Sequence, residues 1–146
     1  MNDLPSELSS IRDDFLSLDV ADRLVLLLEF ANELPELPDQ YADHPDLLER
    51  VVECQAPVFI FVDVDADQDA RVTIYATAPR EAPTTRGFAS IIAKGLSGLA
   101  APVVLAVPDD FPQTLGLGEA ISPLRLRGMT ALLVRVKRQV RDKTAA

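Results

Sequence analysis

Cys54 and His44 are the only residues of their types in this sequence of 146 residues, and nucleophilic, redox or metal chemistry would look to them first. A lone cysteine cannot form an intramolecular disulfide or a C-x-x-C pair, and it cannot supply the four thiolates of a cluster site. Chemistry at Cys54 therefore needs a second sulfur from another molecule, as in thiol–disulfide exchange, where a thiolate attacks a sulfur held on a partner. The flanking residues are Val51-Val52-Glu53-Cys54-Gln55-Ala56-Pro57-Val58-Phe59. Proline cannot donate to a central ladder, so Pro57 predicts that the thiol lies at a bend or bulge beside a sheet. Gln55 could donate a hydrogen bond to a thiolate or a persulfide. The competing reading is that Cys54 is a small buried hydrophobe, as most free cysteines are.

Other chemistries find little support. Zinc sites draw on several Cys, His and carboxylate ligands, and His44 reads as an exposed loop residue rather than a base or a ligand. The acidic stretch Asp63-Val64-Asp65-Ala66-Asp67-Gln68-Asp69 echoes a calcium loop in composition. It lacks the glycine at the sixth position and the closing bidentate glutamate, so it reads as a solvated sheet edge. No phosphate-binding loop, dinucleotide fingerprint or nucleophile elbow is present.

The elements that must position Cys54 follow from periodicity. Leu8, Ile11, Phe15 and Leu18 predict an amphipathic helix over residues 6–17. Asp19 reads as the N-cap of a second helix that carries Leu24, Leu27, Leu28, Ala31 and Leu34 and stops at Pro35 and Pro38. Residues 36–45 read as loop, with a helical turn over 46–50. Residues 58–64 alternate, with Val58, Ile60, Val62 and Val64 on one side, and 71–76 read as the returning strand of a hairpin. Val51-Val52 is the expected third strand. Thr84 or Thr85 could cap a helix bearing Phe88, Ile91, Ile92 and Leu96, ended near Gly95 or Gly98. Short elements follow near 103–106 and 108–111. Ser122-Pro123 supplies an N-cap and an N1 proline for a last helix with Met129, Leu132, Leu133, Val136 and Val140 on one face. This order predicts an α+β fold, a small antiparallel three-stranded sheet with helices packed on one face.

The length fits one domain over 1–146, with a true core. No apolar run reaches the roughly 20 residues of a membrane span. The N-terminus lacks the features of a secretory signal, and one unpaired cysteine suits a reducing compartment; the expected setting is the cytoplasm. The net charge is -9. It is unevenly spread, since residues 121–146 hold seven of the 14 bases and, in Asp142, one of the 23 acids. Most of the surface would repel nucleic acid. The basic end suits either a helix C-terminus or a docking partner.

Three segments together resemble a known family. Glu33-Leu34-Pro35-Glu36-Leu37, then Glu53-Cys54-Gln55 before an apolar strand, then Ile121-Ser122-Pro123-Leu124-Arg125-Leu126-Arg127-Gly128-Met129 are similar, in that order, to SufE, the cysteine desulfuration family. Arg86-Gly87-Phe88 also falls where that family has a basic residue and a glycine opening a helix. The resemblance implies the SufE/NifU-like fold, with the acceptor cysteine on a loop tip. It implies that Cys54 accepts sulfur from the persulfide of a SufS-type cysteine desulfurase, stimulates that enzyme, and passes the sulfur to a SufBCD-type iron–sulfur scaffold. Pyridoxal phosphate would belong to the desulfurase, and this chain would need no cofactor or metal. Arg125 matches an arginine of the Ser-Pro-x-Arg motif and would contact the partner or the Cys54 loop.

The chain departs from the family at Glu53, where glycine is frequent, at Ala56, where serine is, and at Phe59, where tryptophan is common. Glu53 beside the thiol should raise its pKa unless a cation offsets it. Two further expectations concern the site. Cys54 should point into an apolar pocket at rest, which would shield a persulfide from reduction and oxidation. Arg125, and with it Arg127, should lie near the Cys54 loop or on a partner-facing surface, because a cation in the first turn opposes the macrodipole and needs a carboxylate such as Glu53 to compensate. The rival readings are an allosteric activator of a desulfurase with a structural Cys54, and a single-cysteine thiol peroxidase.

Overall fold

The structure, a computed structural model, describes residues 4–66 and 69–144. Helix α1 (Ser6–Leu16) buries Leu8, Ile11 and Phe15. Asp19 accepts a hydrogen bond from the Asp22 amide at 2.9 Å and so caps helix α2 (Val20–Asn32). A single helical turn α3 (Asp39–Ala42) lies within the stretch read as loop, and the turn read over 46–50 is a 3-10 turn (Pro45–Leu47) that stops short of a strand at 49–50. Strand β1 (Glu49–Arg50), a 3-10 turn (Val52–Cys54), strand β2 (Phe59–Asp65) and strand β3 (Arg71–Thr77) follow. Helix α4 (Pro83–Leu96), helix α5 (Ala101–Leu105), a 3-10 turn (Phe111–Leu115) and the long helix α6 (Pro123–Thr144) complete the chain.

The sheet is antiparallel in the order β1-β2-β3. The alternation read in the sequence holds: Val58, Ile60 and Val62 are buried, as are Val72, Ile74 and Ala76 across the ladder. Helix α4 packs mainly against β3 on this face, and α6 against β2. On the other face Tyr41 of α3 lies against Phe61 and Tyr75, with ring centroids at 4.6 and 4.7 Å.

Several local readings are corrected. The third strand is Glu49–Arg50, not Val51-Val52, and it pairs with Ile60 and Phe59. Val51 is buried and Val52 exposed within the turn that leads to Cys54. Neither Thr84 nor Thr85 caps α4, because Pro83 opens the helix one residue earlier and draws both threonines into its first turn. The tip of the acidic hairpin, Asp67-Gln68, lies outside the described residues. Ser122 behaves as read, its hydroxyl accepting from the Arg125 amide at 3.2 Å.

Two close approaches fix the helices that carry the site. At Gly87 any Cβ would collide with the Leu27 carbonyl oxygen of α2, so glycine is what lets α2 and α4 touch there. The Arg86 guanidinium bridges the Ala31 carbonyl at 2.8 Å and the Ala78 carbonyl at 2.6 Å, tying the end of α2 to the loop before α4. At the other side of the sheet β1 stops after two residues, and α6 takes its place. Gln139 accepts from the Val62 amide at 2.9 Å, and the Lys143 ammonium donates to the Val62 carbonyl. Strand β2 thus keeps its backbone partners beyond the reach of β1.

Candidate functional site

Cys54 ends the 3-10 turn Val52–Cys54, and Gln55 follows with φ 63°, in the left-handed region. That reversal lets the chain re-enter the sheet: the Val51 amide donates to the Val58 carbonyl at 2.8 Å, closing a loop with Cys54 near its tip. The Cys54 thiol lies against α6 and donates to the Gly128 carbonyl at 3.5 Å. A Cβ on Gly128 would sit 3.3 Å from both Cα and Sγ of Cys54, so the glycine makes room for the turn.

The thiol opens on a cleft of about 440 Å³ walled by three segments. The cysteine loop contributes Glu53 to Ala56, the start of α4 contributes Thr84 and Thr85 with Glu81 and Ala82 before them, and the start of α6 contributes Ser122, Leu124 and Arg125. Cys54 is half-buried, not enclosed, and the cleft it faces is part polar. The expectation of an apolar pocket is therefore corrected. The cause is that two helix starts, which carry polar residues, converge here.

Arg125 does lie on this cleft, exposed, and it makes no ion pair among the described residues. Arg127 is exposed and is not on the cleft wall. Glu53 does not compensate Arg125; it is held by Arg135, whose Nε and Nη2 donate to its two carboxylate oxygens at 3.0 and 3.1 Å. The same guanidinium donates to Glu49 at 2.6 Å. Arg138 pairs with Glu49 as well, and Gln139 donates to it at 2.8 Å. Burial alone would raise the Glu49 carboxyl, but the hydrogen bonds from Gln139 and Arg135 and the charge of Arg138 outweigh it, and its pKa is lowered. The Cys54 thiol is pushed up to about 11, first by burial and then by the Glu53 charge, with Arg135 pulling in the opposite direction.

Gln55 is exposed on the cleft, and its side chain makes no hydrogen bond among the described residues. His44 is exposed in its loop, as read. No group of three or more His, Cys, Asp or Glu side chains among the described residues could hold a metal ion. The sequence reading missed Arg135, which lies 82 positions from its partner Glu53 and shares no motif with it. Gly128 was within the motif but without a role; a glycine inside a helix that nothing interrupts was the available signal of a close approach.

A three-stranded antiparallel sheet backed by helices, with a single cysteine on a strand-end loop at a cleft, defines an α+β protein. Residues 9–140 match the family model described as "SufE: Fe-S metabolism associated domain". An uncharacterized SufE-like protein of Mycobacterium tuberculosis is 52% identical over 139 residues, covering 95% of this chain and 94% of that protein. The cysteine desulfuration protein SufE of Plasmodium falciparum is 25% identical over 105 residues, 72% of this chain and 41% of that protein. The solution structure of a hypothetical protein from Thermus thermophilus is similar with a TM-score of 0.82 and 38% identity, over 98% of this chain and 99% of that one. The chain belongs to the SufE family, and its role lies in sulfur transfer within iron–sulfur metabolism. No helix among the described residues is long and apolar enough to cross a membrane.

Proposed function

We propose that Cys54 is the sulfur acceptor and carrier for a SufS-type cysteine desulfurase, working in the cytoplasm without a cofactor of its own. The observation that carries this reading is the position of the chain's single thiol, on a loop tip at an open cleft beside Arg125. Docking presents Cys54 to the desulfurase persulfide. The Cys54 thiolate attacks the terminal sulfur, a new S–S bond forms at Sγ, the old S–S bond breaks, and the desulfurase cysteine leaves as a thiolate. Nothing is oxidised or reduced overall, and an acceptor thiol on a SufBCD-type scaffold later takes the sulfur by the same exchange. Val52 and Leu124, 60% and 41% exposed, flank the thiol and give a partner apolar surface to cover.

With a thiol pKa of about 11, roughly one molecule in ten thousand is a thiolate at pH 7. A partner that lowers this pKa on docking switches the carrier on; stimulation of the desulfurase is the reciprocal effect. Incubation with a desulfurase, pyridoxal phosphate and cysteine should add one sulfur atom to this chain by mass spectrometry, and Cys54→Ser should remove the adduct with the fold unchanged. If wild type and Cys54→Ser stimulate the desulfurase equally and neither gains sulfur, the chain is an allosteric activator and Cys54 is structural.

A further inference from the structure

The first turn of α4 forms part of the cleft wall, and the donors of Thr84 and Thr85 in it lack hydrogen-bond partners among the described residues. Its N-cap is Ala82, which offers no side-chain cap, and Pro83 has no N–H. The amides of Thr84 and Thr85 are therefore donors without an acceptor at the positive end of a 14-residue helix. The two threonines are a separate observation. They are 6% and 7% exposed, and neither hydroxyl has a hydrogen-bond partner among the described residues. Among those residues, the sole side-chain polar atom that is both fully enclosed and unpartnered is Ser90 Oγ, so the threonine hydroxyls open onto the cleft they line.

Four donors thus share a cleft with a thiol, and nothing in the described structure uses them. Both threonines are more than nine-tenths buried, line the cleft and have no partner among the described residues, which points to a ligand in the cleft that accepts hydrogen bonds. Of the charged groups here, Glu53 is paired with Arg135 although its charge still acts on the thiol, Glu81 is exposed to solvent, and Arg125 is the cation.

We propose that the start of α4 holds the terminal sulfur of a Cys54 persulfide as an anion, on the hydroxyls and amide N–H groups of Thr84 and Thr85. This rests on Cys54 being a persulfide carrier. A persulfide is a stronger acid than its parent thiol and is charged at neutral pH, so the bare thiol and the loaded sulfur place opposite demands on their surroundings. The thiol rests against the Gly128 carbonyl, an acceptor. The added sulfur would enter the cleft that Thr84 and Thr85 also line.

The test loads Cys54 without a partner enzyme, using inorganic polysulfide. The thiolate attacks a chain sulfur, one sulfur is transferred to Sγ, and a polysulfide shorter by one sulfur leaves. The pH–rate profile for alkylation of the terminal sulfur, read by mass, gives its acid constant. In the Thr84→Val/Thr85→Val variant the midpoint should rise by about one pH unit, the size expected when hydrogen bonds to a charged group are lost. Thr84→Ser/Thr85→Ser should restore it. Thermal unfolding checks the fold, and each single valine variant should show part of the shift should the pair unfold. An unchanged midpoint in the valine variants, or a serine variant as shifted as valine, overturns the proposal. A wild-type chain that takes sulfur neither from polysulfide nor from a desulfurase overturns the carrier reading and this one with it.

Discussion

Burial raises the Cys54 thiol, the Glu53 carboxylate raises it further, and Arg135 lowers it. These charges can be separated by substitution. Glu53→Gln removes the raising charge while Arg135 keeps its place on Glu49, so alkylation at pH 8 should be faster and the midpoint of its pH profile should fall below about 11. Arg135→Ala should move the midpoint the other way. Shifts in the same direction would mean that loop displacement, not charge, controls the thiol. The same thiol also links stability to pH. Its folded pKa lies above the ordinary 9.0, so the unfolded chain gives up the proton first as pH rises. Stability contributed by the protonated thiol is present below pH 9 and is lost between about 9 and 11. The difference in denaturant stability between wild type and Cys54→Ser should therefore be flat up to pH 8 and decline above it.

At the scale of elements, α6 is the part that organises the site. It contributes Arg125 at its start, Gly128 under the thiol and Arg135 beneath Glu53. Gly128→Ala tests the fit between this helix and the cysteine turn. The new methyl group would be tighter than an ordinary contact to Cys54, so the turn must move out by a few tenths of an ångström. Alanine in a helix interior gains about 1 kcal/mol over glycine, which should offset most of the strain. Stability should stay within about 1 kcal/mol of wild type, while Cys54 should alkylate faster as it leaves the Gly128 carbonyl. Slower alkylation would show that the methyl group seals the thiol instead.

For the whole molecule, what could be read from sequence depended on how local the cause was. The 3.6-residue spacing of Leu8, Ile11 and Phe15, the Asp19 cap, the alternation through Ile60 and Val62 and the Ser122-Pro123 start all held, because each is determined within a few residues. The third strand was misplaced because an apolar pair drew the assignment. Val51 is apolar because it faces the core below the thiol turn, whereas the strand itself is a short charged edge. The sequence put Arg125 near the Cys54 loop or on a partner-facing surface, and the structure sets both residues on one cleft, but the donors of Thr84 and Thr85 were masked by their resemblance to caps. The basic C-terminal segment also has an account that net charge could not give. Arg135, Lys137, Arg138 and Lys143 are engaged with Glu53, Glu49, Asp109 and backbone carbonyls, so much of that charge serves the fold rather than a partner.

The replacement of β1 by side chains of α6 bears on whether this sheet edge is open to a strand of another chain. A strand whose N–H and C=O groups face outward is a template for a strand of another chain. Gln139 and Lys143 occupy those groups at Val62, and Lys143 also lies over the Phe61 ring at 3.9 Å. The last two turns of α6 thus cover this part of the edge. A Gln139→Ala/Lys143→Ala variant keeps Val140 in the core and should leave the helix and the cysteine cleft in place yet expose this edge. Such a variant is expected to form larger species with concentration in light scattering, and a variant as well behaved as wild type would show that the edge needs no cover.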